Sequence, residues 1–126
     1  MTILTEGARK AEFLLSEAND WRSRDEVVVS VPANTTLEPG TVLGQITSGG
    51  KFVRHDTDAG DGSETEAGIL FATLINDTES AVDIDATNIA RDAEVNSNFI
   101  LYEAGADANA ITASNAALAA LGLIVR

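Results

Sequence analysis

Turn signals that recur at short intervals constrain this chain more than any other feature of its sequence. The runs VVVSV, TVLGQIT and KFVRH, which fall between residues 27 and 55, are rich in β-branched side chains. They are separated by Pro32, by Glu38-Pro39-Gly40-Thr41 and by the pair Gly49-Gly50. Pro followed by Gly is typical of a type II turn, because Pro fixes φ at the first central position and Gly allows a positive φ at the second. Short β-branched runs separated by turn residues predict a mainly β fold.

The two glycines after TVLGQIT indicate a β-hairpin with a two-residue loop. That loop length predicts a register in which Ile46 lies opposite Val53 and Thr47 lies opposite Phe52. Gly44 stands inside the first strand of the hairpin, where it indicates a bulge or a close approach of another backbone segment.

Three later segments also indicate strands. AGILFATLI, residues 67–75, is apolar on both alternating faces, which is typical of a strand buried on both sides. AVDIDAT alternates apolar and acidic residues, which predicts that its valine and isoleucine face inward. NFILY predicts one more strand, and the stretch DTDAGDGSETE, residues 56–66, predicts a long polar loop.

One helix is predicted, near the C-terminus, where NAALAAL is rich in strong helix formers. Thr112 or Ser114 is the predicted N-cap, since either hydroxyl can accept a hydrogen bond from a free backbone N–H. Gly122 suits the left-handed position that ends a helix, and it places Leu123 where it can contact Leu118. The final LIVR is predicted to form a strand.

Size and charge exclude several classes of function. A chain of 126 residues, 44% hydrophobic and 22% charged, has the size and composition of one globular domain. Its formal net charge of -12 would repel a phosphate backbone, so nucleic acid is not an expected partner. The sequence has no Cys, no apolar run near the ~20 residues that span a bilayer, and no signal-peptide core. We therefore expect a protein made in the cytoplasm that has no membrane partner.

The first 26 residues differ from the rest of the chain. Leu4, Ala8, Ala11 and Leu15 have helical spacing, which favours an amphipathic helix docked on the domain. The modest apolar content and the terminal position instead favour an arm that a partner orders. The sequence leaves both interpretations open. The segment holds the only Trp and four of the eight basic residues, namely Arg9, Lys10, Arg22 and Arg24.

The residues that usually carry chemistry form no recognisable site. His55 is the only histidine, and no G-x-S-x-G motif accompanies it, so we interpret it as an exposed residue at a strand end. The acidic loop fails the EF-hand spacing, because Gly60 and Asp61 occupy the fifth and sixth positions counted from Asp56. We expect no catalytic residues, no cofactor site and no metal site, and the chain is not predicted to be an enzyme.

The order of GTVLGQIT, SGGKFVRHD and DGSETEAGILFAT, followed by ARDAEVN and ALAALGLIVR, resembles the lambda-type bacteriophage head decoration proteins. The resemblance implies a bent β-ribbon, β-clip-like domain that forms a homotrimer. It also implies binding to the outside of the expanded capsid at three-fold positions, where the trimer cements the major capsid protein against DNA pressure. In that family a mobile N-terminal arm becomes ordered on the shell by adding a strand to the capsid protein.

Transferred to this chain, the resemblance divides it into a capsid-binding arm, residues 1–26, and a β-rich decoration domain, residues 27–126. The arm contacts it implies are Glu12, Phe13, Leu14, Leu15, Ser16, Glu17, Trp21, Arg22 and Arg24. Apolar residues available for contacts within a trimer are Ile69, Phe71, Leu118 and Leu121. A carbohydrate-binding or ligand-binding adhesion module, with its site in the acidic loop, is the alternative function.

Overall fold

A computed structural model describes residues 6–126 of the chain. Within this part of the chain it contains ten β-strands, one α-helix and two short 3₁₀-helices. The strands are β1 (Leu14–Glu17), β2 (Arg24–Val31), β3 (Thr35–Leu37), β4 (Val42–Gln45), β5 (Phe52–Arg54), β6 (Glu66–Leu70), β7 (Leu74–Asn76), β8 (Val82–Ile89), β9 (Ala93–Val95) and β10 (Leu123–Val125). The helix α1 is Ala108–Ala120, and the 3₁₀-helices are Asn19–Trp21 and Ser97–Phe99.

Five strands close into a barrel in the order β2, β5, β4, β6, β8. All 8 residues of β2 pair with β8 in antiparallel register. On its other side β2 meets β5 in a single parallel pair, Val29 with Phe52. The side chains that fill the interior form the barrel core: Val29, Val31, Leu37, Leu43, Phe52, Leu70, Leu74 and Ala86.

A second cluster joins the two ends of the chain. β9 pairs with β1 in antiparallel register on one side and with β10 in parallel register on the other. Strands β4 and β6 serve both clusters, because neighbouring residues such as Ile69 and Leu70 point to opposite faces of a strand. This terminal core consists of Phe13, Val42, Ile69, Phe71, Ile89, Ala93, Val95, Ile100, Leu118 and Leu123.

The predicted mainly β domain with one helix near the C-terminus is confirmed. The predicted type II turn is present, since Gly40 has φ 95° and the Thr41 N–H donates to the Glu38 carbonyl at 3.2 Å. Gly122 has φ 93° and ends α1, and β10 follows it as expected. The bent-ribbon, β-clip-like arrangement stays a prediction, since the strands close into a barrel with a three-stranded and a two-stranded sheet beside it.

The predicted hairpin register is wrong by two residues. Val53 pairs with Gly44 and not with Ile46, because the connecting loop is longer than two residues. The N–H of Thr47 donates to the carbonyl of Asp61 at 2.8 Å, so it is unavailable to the opposite strand. A contact from a distant loop therefore sets the register.

The expected role of Gly44 is confirmed. The pairing of β4 with β6 shifts between Leu43 and Gly44, which is the signature of a bulge. A Cβ atom at Gly44 would lie 2.3 Å from the carbonyl oxygen of Ser63, so the acidic loop crosses the strand directly over this position.

The predicted start of the helix is wrong. α1 begins at Ala108, a full turn before Thr112, and its N-cap is Asp107. The Asp107 carboxylate accepts a hydrogen bond from the N–H of Ala110 at 2.8 Å, which is the interaction expected at Thr112 or Ser114.

Other predicted strands also change. The apolar run 67–75 is divided, since β6 ends at Leu70 and β7 begins at Leu74. The start of NFILY lies in the 3₁₀-helix Ser97–Phe99, which the side chain of Asn96 caps by accepting from the N–H of Asn98. Val82 is 38% exposed, and not inward as expected, because it is the first residue of β8 at the rim of the barrel.

The N-terminal segment is part of the folded domain. β2 begins at Arg24, before the predicted division between residues 26 and 27, and the division into a capsid-binding arm and a decoration domain stays a prediction. The docked-helix interpretation is wrong for the described residues, where the Glu12 N–H donates to the Arg9 carbonyl at 3.0 Å in a turn that leads into β1. Leu4, the first residue of the helical pattern, lies outside the described residues.

Candidate functional site

Phe13 anchors the N-terminal segment to the rest of the domain. Its side chain is completely buried in the terminal core. Its carbonyl accepts a hydrogen bond from the N–H of Asn96 at 2.7 Å, and β1 then continues along β9. Burial of a phenylalanine side chain stabilises a fold by about 1.5–3 kcal/mol, which favours the attached conformation of the segment.

Beyond this anchor, the segment presents a cluster of aromatic and basic side chains. The guanidinium carbon of Arg24 lies 4.2 Å from the ring centre of Trp21 and 4.3 Å from that of Phe71. The Nζ atom of Lys10 lies 5.1 Å from the centre of the Phe71 ring. We call Lys10, Trp21, Arg24 and Phe71 the aromatic–arginine cluster. Each cation over an aromatic ring contributes about 0.5–2 kcal/mol, so the cluster is held in a defined geometry.

Glu17 orients the arginine of this cluster. Its carboxylate forms an ion pair with the Arg24 guanidinium, including a hydrogen bond from Nε at 3.0 Å, and it also accepts from the Ser23 hydroxyl. The hydrogen bond from Arg24, set against desolvation, holds the pKa of Glu17 below its ordinary value of 4.5. The carboxylate is therefore ionised at neutral pH and fixes Arg24 between the rings.

The backbone holds Trp21 in an unusual position. Asp20 and Trp21 both have φ 62°, in the left-handed region that costs a non-glycine residue about 1–2 kcal/mol. Trp21 is nevertheless 68% exposed, so burial of its own ring offsets little of this cost. Strained residues persist where the surrounding structure determines them, and they concentrate at functional positions. The exposed indole is thus the best candidate contact on this face.

The remaining predicted arm residues fall into two groups. Leu15 is 52% exposed on β1, and Arg22 is exposed with its Nε atom 3.7 Å from the Asp92 carboxylate. Glu12, Leu14 and Ser16 make contacts within the domain: Glu12 accepts from the Arg9 N–H, Leu14 packs against the terminal core, and Ser16 donates to Glu94. In this conformation Phe13 has no surface to offer a partner, which differs from its expected role.

The residues proposed for contacts within a trimer are also distributed unequally. Ile69 and Leu118 are completely buried in the terminal core, and Phe71 is 8% exposed beneath Arg24. Leu121, at the end of α1, retains 36% of its surface. The first three stabilise the single chain, so Leu121 is the member of the set with surface left for a second copy.

The interpretation of His55 as an exposed residue is wrong. Its side chain is 3% exposed, with Nε2 3.0 Å from the carbonyl oxygen of Glu64 and 3.3 Å from the Glu66 carboxylate. The acidic loop folds back over the end of β5 and covers the imidazole. A lone histidine after a hairpin gave no sign of this, because the covering residues come from later in the chain.

Hydrogen bonds within the acidic loop, residues 56–66, and to the segment before α1 hold the loop in place. Asp61 accepts from both the N–H and the hydroxyl of Ser63, and the hydroxyl hydrogen bond is the main reason that its pKa is lowered. Glu103 accepts from the N–H and the hydroxyl of Thr57, each at 2.6 Å, which ties the loop to the segment before α1. Within residues 6–126, no three His, Asp or Glu side chains come together as a metal site would require.

Phe71 has contacts that the sequence did not predict. It was expected at a subunit contact, but its ring supports Arg24, and its carbonyl accepts from the Ala11 N–H at 3.1 Å. Its partners, Arg24 and Ala11, lie far earlier in the sequence, so no local pattern could have identified them.

Among the described residues, no helix is both long enough and apolar enough to cross a membrane.

The described chain is a small β domain whose N-terminal and C-terminal segments share one core, with the aromatic–arginine cluster beside Phe71. The family model described as bacteriophage lambda head decoration protein D matches residues 3–123. The chain therefore belongs to this family of phage head decoration proteins, which are structural components of the capsid. No curated protein matches the chain at a significant level.

Proposed function

We propose that this protein binds the outside of an expanded phage capsid as a homotrimer at three-fold positions and cements neighbouring copies of the major capsid protein. Family membership supports a role on the capsid. The observation that carries the finer proposal is the aromatic–arginine cluster, which holds an exposed Trp beside two basic residues on an otherwise acidic chain.

The cluster has the properties of an interface anchor. Trp and Arg are the residue types that most often dominate binding energies, and rigid anchors lose less entropy when they bind. Arg24 is held by Glu17, and the Trp21 ring stacks on the Arg24 guanidinium at 4.2 Å, so both side chains have partners before contact. Leu15 and Arg22 are also exposed on the N-terminal segment.

Three such clusters in a trimer would act together. Once one has bound, the other two are held near their sites at a high effective concentration, so individually weak contacts give tight attachment. Because one trimer then contacts several capsid subunits, its binding free energy opposes their separation. The net charge of -12 favours solubility and opposes nonspecific association.

Binding to purified shells tests the proposal. Expanded and unexpanded shells from phage particles that lack this protein are mixed with wild type, and the bound fraction is measured by sedimentation. We expect saturable binding to expanded shells only. Failure to bind expanded shells would contradict the proposal, and a free or bound stoichiometry other than three per site would contradict its trimeric part.

The substitution Trp21→Ala tests the cluster itself. We expect it to weaken binding by about tenfold or more, because loss of an interface anchor costs at least about 1.4 kcal/mol. Ile75→Ala is the matched control, since Ile75 is a 64% exposed apolar residue on β7, outside the cluster. Equal affinities of the two variants would show that the cluster is not the contact.

The alternative of an adhesion module receives less support. Its expected site was the acidic loop, but Asp56, Asp61 and Glu64 each accept a hydrogen bond from a backbone N–H of the loop itself. These contacts explain the acidic residues as parts of the loop's own structure, so we do not propose a ligand for them.

A further inference from the structure

A groove runs along one side of β2, where the barrel has a gap in its hydrogen-bonded wall. β5 pairs with β2 at Val29 alone, so the preceding residues of β2, Arg24–Val28, have no strand on that side within the described chain. The far wall is the hairpin loop and the start of β5, including Gly50, Lys51 and Phe52. The cavity between the two walls has a volume of about 830 Å³.

Among residues 6–126, part of the β2 backbone that faces this groove pairs with no other strand. The N–H of Ala90 donates to the carbonyl of Ser23 at 2.8 Å, which continues the antiparallel ladder between β2 and β8. Hydrogen-bonded pairs alternate along such a ladder, so Asp25 and Val27 bond to β8. The N–H and C=O groups of Arg24 and Glu26 therefore point away from β8 and into the groove.

The walls of the groove have a defined charge pattern. Lys51 pairs with Asp83 at 2.7 Å, and Arg24 pairs with Glu17. Glu26 is exposed in the groove, and within residues 6–126 its carboxylate accepts from the Thr87 hydroxyl and has no basic partner. Asp85 lies beside it. After the ion pairs are formed, the groove retains uncompensated negative charge next to the apolar side chain of Val28.

We infer that this groove accepts an extended segment of the major capsid protein as an additional strand on β2. The occupant is a stretch of about five residues, the length of the free edge, which spans roughly 16 Å as a strand. It carries a lysine or arginine that reaches Glu26. Addition of a strand to an open sheet edge is a common mode of peptide recognition, because main-chain hydrogen bonds supply affinity and side-chain pockets supply specificity.

The inference rests on the proposed function, and it adds a second contact to the aromatic–arginine cluster. Arg24 belongs both to that cluster and to the end of the groove, so one continuous surface runs from Trp21 along β2. In this arrangement the decoration protein receives a strand from the capsid protein at β2.

Charge reversal at Glu26 tests the groove. Glu26→Lys should weaken binding to expanded shells by about tenfold, and Glu26→Gln should have a smaller effect, because a like charge opposes the basic occupant. The control is Glu79→Lys, which makes the same change in net charge at an exposed loop residue between β7 and β8. The control should bind within about twofold of wild type, since a rim charge outside the contact has little effect.

Amide hydrogen exchange is a second test, because it measures protection of the β2 backbone and does not depend on the charge of the side chain. On addition of expanded shells, a peptide covering Arg24–Val28 should exchange more slowly, because the N–H of Glu26 becomes hydrogen-bonded. A peptide covering Leu74–Ser80 should be unchanged. If wild type binds shells while Glu26→Lys equals Glu79→Lys and the β2 peptide gains no protection, the groove inference is overturned and the proposed function stands. If wild type fails to bind shells, the proposed function itself fails.

Discussion

The barrel core and the terminal core are similar in composition, but the chain assembles them differently. The barrel core draws on residues from Val29 to Ala86, most of them in strands that neighbour one another along the sequence. The terminal core brings Phe13 together with Leu118 and Leu123 from the other end of the chain. Strands β4 and β6 are shared, so the two cores are packed on opposite faces of the same backbone.

The N-terminal segment combines core residues and surface residues, which composition alone did not separate. Phe13 and Leu14 belong to the fold, whereas Leu15 and Trp21 remain exposed. If the proposed contacts are made, a segment anchored in this way makes them at low entropic cost, because β1 is already paired with β9.

The substitution Phe13→Ala tests whether the terminal core is essential to the whole domain. We expect a loss of about 3–5 kcal/mol in the free energy of unfolding, because a fully buried phenylalanine is replaced by a cavity. Urea denaturation monitored by Trp21 fluorescence measures it. Leu15→Ala is the control, and its effect should stay below about 0.5 kcal/mol because the side chain is half exposed.

Two outcomes would contradict the conclusion that both cores belong to one cooperative domain. If Phe13→Ala unfolds in two separate transitions, the terminal core is an independent unit. If it is as stable as Leu15→Ala, the N-terminal segment is a detachable arm in solution.

The substitution Gly44→Ala tests the packing of the acidic loop against β4 of the barrel. The new Cβ would meet the Ser63 carbonyl at 2.3 Å, so the acidic loop must move and we expect a loss of about 1–3 kcal/mol. Gly60→Ala, in the same loop with no atom within 4 Å of its Cβ, is the control. Equal thermal midpoints for the two variants would mean that the loop does not cross β4 as described.

The smallest expected effect concerns the pH dependence of the Glu17 interaction. Because its pKa is lowered in the folded state, Glu17 contributes stability above its unfolded pKa near 4.5, and this is lost as the pH falls through the lower folded value. Glu17→Gln should therefore cost about 1 kcal/mol at pH 7 and progressively less below pH 4.5. Denaturation curves from pH 7 to about pH 3 measure the difference. A difference that stays constant over this range would contradict the role of the ionised carboxylate.

Local signals predicted local features well. The type II turn at Gly40, the stop of α1 at Gly122 and the crowded position of Gly44 each depend on a few neighbouring residues, and the structure has all three. The predictions that failed needed distant partners. The hairpin register depends on Thr47 meeting Asp61, and the burial of His55 depends on the returning loop.

The sequence by itself determined the mainly β class, the single C-terminal helix and the family, because turn residues, propensities and the order of motifs act over short stretches of chain. Tertiary structure alone decided that Phe13 is core while Trp21 is surface, that Arg24 lies between Trp21 and Phe71, and that β2 has an open edge. These features arise from contacts between residues far apart in sequence. Such contacts form only when the whole chain has closed around its two cores, so no local pattern encodes them.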